Sequence, residues 1–152
     1  MRFFFYGTLI AGSGNPVARL VHEKLRVLGP AQARGVLYAL PDPQGWYPAL
    51  LPGEGVVHGV LYDAQGDFTA ADLGLLDHYE EFDSTSRETS LYVRQAVTVS
   101  AKGGTALAAQ AYVYNLPPPE GACPIQDGDF REWLAFEGRH GFGSLPGSRS
   151  SA

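Results

Sequence analysis

The run Arg2-Phe3-Phe4-Phe5-Tyr6-Gly7-Thr8-Leu9 constrains this chain more than any other stretch. An apolar segment that short, dense in aromatics and closed by glycine, predicts a buried strand that enters a turn. Gly12, Ser13, Gly14 and Asn15 continue as a loop, and Asn15-Pro16 then opens a helix. A strand that ends in a glycine turn can aim backbone N–H groups at an anion or a developing oxyanion. Tyr6-Gly7-Thr8-Leu9 is therefore expected to form one wall of a ligand site, with Glu80 as the group that does chemistry against it.

Size and charge narrow the classes. The chain has 152 residues, the span of one domain, and its 45% hydrophobic content is ordinary for a globular core. The net charge is -5, and no cluster of Lys or Arg stands out, which argues against a nucleic-acid or anionic-membrane surface. The longest apolar runs fall far short of the roughly 20 residues of a membrane span. Phe3-Phe4-Phe5 is too short for a signal sequence. One cysteine excludes an internal disulfide and fits a reducing compartment, so the expected location is the cytoplasm.

Periodicity lays out the elements. Asn15 is a good N-cap and Pro16 a good first helical residue, and Val17, Leu20, Val21 and Leu28 extend a helix that Gly29-Pro30 ends. Strands are expected over 31–40, 46–51 and 56–63, with turns at Pro41–Gly45 and Pro52–Gly55. Gly59 is expected to be a bulge or a point of close approach. Thr69 caps a helix that carries Leu73, Leu76 and Tyr79 and ends near Glu80. Leu91–Ser100 and Thr105–Leu116 form a hairpin around Lys102-Gly103-Gly104. A last helix over 127–137 is built on Phe130, Trp133, Leu134 and Phe136. The reading is one α+β domain over 1–142 with a mixed or antiparallel sheet, followed by a mobile tail over 143–152.

Several chemistries lack their residues. His22, His58, His78 and His140 form no spaced ligand set, so no metal is expected. Cys123 has no His near it in sequence and reads as structural. Gly12-x-Gly14 lacks the remainder of either nucleotide loop. The carboxylates carry more. Glu80 lies four residues after Leu76 and seven after Leu73, on the inward face of its helix, whereas Glu81 falls on the wet face. A buried carboxyl is pushed up from about 4.3 by desolvation, which suits general acid/base work. The competing role for Glu80 is to pair with an arginine such as Arg94. Tyr6, Tyr92 and Tyr114 sit on strands, where each could meet a ligand or serve the core.

In their order and spacing these segments resemble the gamma-glutamyl cyclotransferase-like superfamily. Phe4-Phe5-Tyr6-Gly7-Thr8-Leu9 is similar to its Tyr-Gly-Ser/Thr-Leu signature. Gly29-Pro30, Gly35-Val36-Leu37-Tyr38 and Tyr47-Pro48-Ala49-Leu50 are similar to its second block. Val57-His58-Gly59-Val60-Leu61-Tyr62 resembles its Gly-x-x-Tyr strand, Leu76-Asp77-His78-Tyr79-Glu80 its Leu-Asp-x-x-Glu segment, and Tyr92-Val93-Arg94 its Tyr-x-Arg strand. Gly128-Asp129-Phe130 resembles its closing Gly-Asp-Trp stretch. Two positions depart from the pattern: Glu81 stands where the family usually has glycine, and Ile10 where it often has a basic residue.

The resemblance implies a small mixed β-barrel with a few flanking helices and a cavity between Tyr-Gly-Thr-Leu and the acid. It implies a cofactor-independent enzyme that releases 5-oxoproline and a free amine from a small-molecule gamma-glutamyl amine or peptide, with Glu80 as catalytic acid/base. Gly7, Thr8 and Leu9 would meet the oxyanion; Tyr6 and Tyr114 would line the cavity; Arg94 would face the substrate carboxylate or simply hold a strand. Two readings compete with it. One is a non-catalytic small-molecule binding module of the same fold. The other is an interaction protein that uses the 83–89 loop and the tail.

Overall fold

Buried on both faces, β1 (Arg2–Phe5) is the strand on which the barrel closes. The computed structural model describes residues 1–139 and 141, so the expected tail at 143–152 lies outside the described residues. Successive side chains of a strand point to opposite faces. Phe3 and Phe5 thus enter a cluster with Val21, Leu76 and Tyr62, while Phe4 and Tyr6 enter a second one. That second cluster takes Ala31, Ala33 and Leu37 from β2 (Leu25–Leu40), Leu50, Val57 and Leu61 from β3 (Tyr47–Ala64), Val99 from β4 (Tyr92–Ala101) and Ala109 and Ala111 from β5 (Ala106–Tyr114). All five strands contribute to it and neither of the first two helices does, so this cluster is the barrel interior. The first cluster is the layer between the barrel wall and two helices, α1 (Pro16–His22) and α2 (Ala70–Tyr79).

The strand order is β3-β1-β5-β4-β2, and a β2–β3 pairing closes the ring. β6 (Cys123–Pro124) adds to β2 outside it. Every pairing between these strands is antiparallel except β1 with β5, which run parallel through Phe3 and Gln110. The fold is the expected α+β barrel. The last helix, α3 (Phe130–Glu137), starts at Asp129, whose carboxylate accepts from Glu132 N, and adds Phe130 and Leu134 to the interior.

Three local expectations are corrected. The first helix stops at His22, and residues 25–28 instead begin β2, where Leu25, Arg26 and Val27 pair with Ala64, Asp63 and Tyr62. A long partner strand outweighs a weak helical period, and Val27 is left 62% exposed. Gly29-Pro30 marks a bulge within the strand, at a register shift between Val27 and Gly29. Pro52–Gly55 does not turn the chain back. Arg34 pairs with Val56 and Val36 with Leu51, so these four residues form an excursion within one continuous β3. Phe136 is 88% exposed and takes no part in the core.

Gly59 is a point of close approach, as expected. A Cβ there would lie 2.4 Å from the Phe5 carbonyl oxygen and 2.8 Å from the Phe4 ring. Gly59→Ala would force β1 off β3, because a packed core relaxes only partly. The expected loss is about 2 kcal/mol, read as a lower midpoint in urea unfolding with an unchanged slope.

Candidate functional site

The turn after β1 is held by contacts from three directions. Ile10 N donates to Gly7 O at 3.0 Å and closes the turn, and the Ser13 hydroxyl donates to Thr8 O at 2.7 Å. His22 Nε2 donates to Leu9 O at 2.6 Å, and burial lowers the pKa of this ring, which suits the neutral form. Ile10 is 2% exposed and packs into the helix-side cluster. Gly7 has its own reason to be glycine. A Cβ on it would lie 2.1 Å from Pro48 Cγ, so the Tyr-Gly-Thr-Leu turn and the Tyr47-Pro48-Ala49-Leu50 segment are in direct contact. The N–H groups of Thr8 and Leu9 make no hydrogen bond among the described residues.

Asn15 links this turn to α2. Its side-chain oxygen caps α1 by accepting from Val17 N at 2.9 Å and Ala18 N at 3.2 Å. Its Nδ2 donates to the Tyr79 hydroxyl at 2.7 Å, and that hydroxyl also shares a hydrogen bond with Thr8 Oγ1 at 2.9 Å. Tyr79 immediately precedes Glu80, so the same contacts that fix the turn fix the end of α2.

α2 begins with a capping box between Thr69 and Asp72 and ends in a Schellman motif. Phe82 N donates to Asp77 O at 2.9 Å and Glu81 N to His78 O at 3.1 Å. The motif needs a left-handed residue after the C-cap, and Glu81 supplies it with φ 54. Glycine is the usual occupant, because a side chain there costs roughly 1 kcal/mol. The departure from the family pattern at Glu81 is thus a side chain placed on a glycine backbone position. Glu80, the C-cap, is thereby turned toward the barrel.

Glu80 lines a cavity of about 100 Å3 together with Tyr6, Gly7, Thr8 and Leu9 on one side and Tyr79, Tyr92 and Tyr112 around it. That volume admits an amino-acid-sized group. The residue keeps intermediate exposure overall, while its carboxyl is desolvated. No hydrogen bond or ion pair engages that carboxyl among the described residues. Burial first, and then the negative charge of Glu81, push it up to about 8.

The surrounding tyrosines have committed hydroxyls. Tyr6 donates to Tyr112 O, Tyr92 to Pro48 O at 2.6 Å, and Tyr112 to Asp77 Oδ1 at 2.7 Å. Burial raises all three pKa values well above the usual phenol value, so none ionises near neutrality. Their rings form walls around the desolvated Glu80 carboxyl.

Two expected contacts are not formed. Arg94 does not line the cavity. Its Nε and Nη2 reach the two carboxylate oxygens of Asp77 at 2.9 and 3.3 Å, and its Nη1 reaches Gln110 at 3.2 Å. It clamps α2 to the β4–β5 hairpin, and it does not pair with Glu80. Tyr114 likewise stays outside the cavity lining and packs edge-on against Tyr92 with ring centroids 5.2 Å apart. Sequence reading passed over Asp42, Tyr47, Tyr79 and Tyr112, all of which line the cavity. Tyr112 carried a signal, since it shares a strand face with Tyr114. Asp42 lies in a turn segment and carried none.

The family profile described as gamma-glutamyl cyclotransferase, AIG2-like, matches residues 3–132. The chain belongs to this family. Among solved structures, protein ytfP of Escherichia coli is 28% identical, with 90% of this chain and 99% of that one covered and a TM-score of 0.56. Protein PH0828 of Pyrococcus horikoshii is 19% identical over 91% of this chain and 96% of that one, with a TM-score of 0.59. A structure described as gamma-glutamyl cyclotransferase is 16% identical over 97% and 92%, with a TM-score of 0.57. No curated protein sequence matches this chain significantly. Among the described residues no helix is long and apolar enough to cross a membrane.

Replacing Glu81 by glycine keeps the Schellman motif and removes the left-handed side chain. The expected gain in stability is up to about 1 kcal/mol by chemical unfolding, less the extra freedom glycine gives the unfolded chain. Gly7→Ala, in contrast, drives a methyl into Pro48 and should cost at least about 1 kcal/mol by the same measurement.

Proposed function

We propose that this protein is a gamma-glutamyl cyclotransferase-type enzyme that releases 5-oxoproline and a free amine from a gamma-glutamyl amide, with Glu80 as general acid/base. The observation that carries the reading is the position of one desolvated, unpartnered carboxyl in the same small cavity as the Tyr-Gly-Thr-Leu turn. Family membership supports the reaction class.

The chemistry is intramolecular. The substrate α-amino nitrogen attacks its own γ-carbonyl carbon, a five-membered lactam forms, and the bond to the amine breaks. An ammonium has no lone pair, so a base must first take its proton. Glu80 takes it and returns it to the leaving nitrogen. A carboxyl with a pKa of about 8 matches an ammonium donor better than an ordinary carboxylate would, and it is still roughly one-tenth ionised at pH 7. The amides of Thr8 and Leu9 receive the oxyanion. The rigid tyrosine walls fold the substrate toward a near-attack shape, an effect worth several kcal/mol. Arg94 does not meet the α-carboxylate, because it is held by Asp77.

Glu80→Gln removes the base and keeps the shape. Release of 5-oxoproline should fall by at least about a hundredfold with the circular-dichroism spectrum unchanged. Stoichiometric binding of an intact gamma-glutamyl amine by the unaltered protein, with no 5-oxoproline formed, would instead favour the binding-module reading. The pH dependence has a defined sign. The active form is deprotonated, so kcat/KM should rise with pH to an inflection near 8. Stability runs the other way. Between about 4.5 and 8 the native state holds a proton that the unfolded chain has lost, so stability falls as pH rises, by up to about 1.4 kcal/mol per pH unit. Glu80→Gln should remove that slope in unfolding measured at pH 5, 6.5 and 8.

A further inference from the structure

The charge inventory of the cavity is one-sided. Among the described residues its lining contains three carboxyl groups, those of Asp42, Glu80 and Glu81, and no Lys, Arg or His. The nearest basic candidate in the sequence reading, Arg94, is held by Asp77 and Gln110. Glu80 lies in the depth with an unengaged carboxyl aimed into the hollow. Glu81 is exposed and Asp42 half-buried, and both line the cavity. Asp42 uses Oδ1 to accept from Gln44 N at 2.9 Å, which fixes its carboxylate on the 41–45 turn. Burial first, then the charges of its neighbours Tyr114, Asp42, Glu81 and Glu80, raises the pKa of the Tyr47 hydroxyl, so the acids converge on this ring. Tyr47 also lines the cavity.

Charge bookkeeping on the substrate then discriminates. A gamma-glutamyl group carries one ammonium and one carboxylate, for a net charge of zero. The part leaving as amine decides the rest. An amino acid makes the conjugate anionic, a simple alkylamine leaves it neutral, and a diamine makes it cationic. We infer that Asp42 and Glu81 select gamma-glutamyl conjugates whose leaving amine bears a second positive charge, the chemistry of diamines and polyamines. This rests on the cyclotransferase reading above. It also gives Glu81 a use for the side chain it keeps where glycine would sit without strain. An anionic leaving group would meet these two carboxylates and, among the described residues, no counter-charge in the lining.

The test compares three synthetic conjugates at low salt: gamma-glutamyl-1,4-diaminobutane, gamma-glutamyl-pentylamine and gamma-glutamyl-norleucine. They present similar lengths with charges of plus one, zero and minus one. 5-Oxoproline release should rank cationic over neutral over anionic, with kcat/KM about tenfold apart between the first two and the gap narrowing in high salt. In the Asp42→Asn/Glu81→Gln double variant the ratio of cationic to neutral substrate should fall to within about twofold. Any change in Glu80 affects both substrates and cancels in that ratio. Glu81→Gln alone, at an exposed position, should narrow the ratio partway and serves if Asp42→Asn unfolds the turn. Equal rates for the cationic and neutral conjugates, or a ratio that survives both variants, overturns the charge assignment and leaves the reaction standing. No 5-oxoproline from any of the three overturns the reaction and the assignment together.

Discussion

A carboxyl group desolvated without a counter-charge is the constraint to which the rest of this structure answers. Burying an ionised acid is costly, and Glu80 meets that cost by holding its proton up to about pH 8. The fold keeps it in place without neutralising it. α2 is anchored by the Asp77–Arg94 pair on one side and by the Tyr79, Thr8 and Asn15 hydroxyl–amide contacts on the other. The Schellman motif turns the last residue of the helix inward. The neighbouring acid, Asp77, has taken the arginine that would have quenched Glu80.

The same economy governs the walls. Five tyrosines line the cavity, and Tyr6, Tyr79, Tyr92 and Tyr112 spend their hydroxyls on the protein: on a main-chain carbonyl, on Asp77, or on Thr8 and Asn15. Their rings are therefore fixed, and fixed apolar walls keep the interior dry enough for one carboxyl to stay protonated. A glycine against a proline ring, Gly7 on Pro48, brings the turn and β3 closer than any side chain would allow.

Much of this could be read from the residues alone, and the failures share a cause. The Phe-Phe-Phe-Tyr strand, the Asn15 cap, the Thr69 cap and the inward face of Glu80 are local properties, set by composition and by spacing within one element. The length of the first helix, the excursion within β3 and the partner of Arg94 depend on a second element distant in sequence. Leu25 to Leu28 carry a helical spacing, yet the edge of β3 gives them a ladder of hydrogen bonds that no short helix could match. Arg94 faces Asp77 because α2 crosses the hairpin at that level, which no pattern within Tyr92-Val93-Arg94 encodes. The Tyr112 ring and the Asp42 carboxylate join the site for the same reason.

The parallel contact between β1 and β5 has a consequence for how the chain comes off the ribosome. Phe3, Phe4 and Phe5 precede both of their partners: the strand that covers one edge spans Tyr47–Ala64, and the strand that covers the other spans Ala106–Tyr114. Until Ala106–Tyr114 has been made, this aromatic strand therefore keeps an open edge, the kind of segment that pairs with other chains.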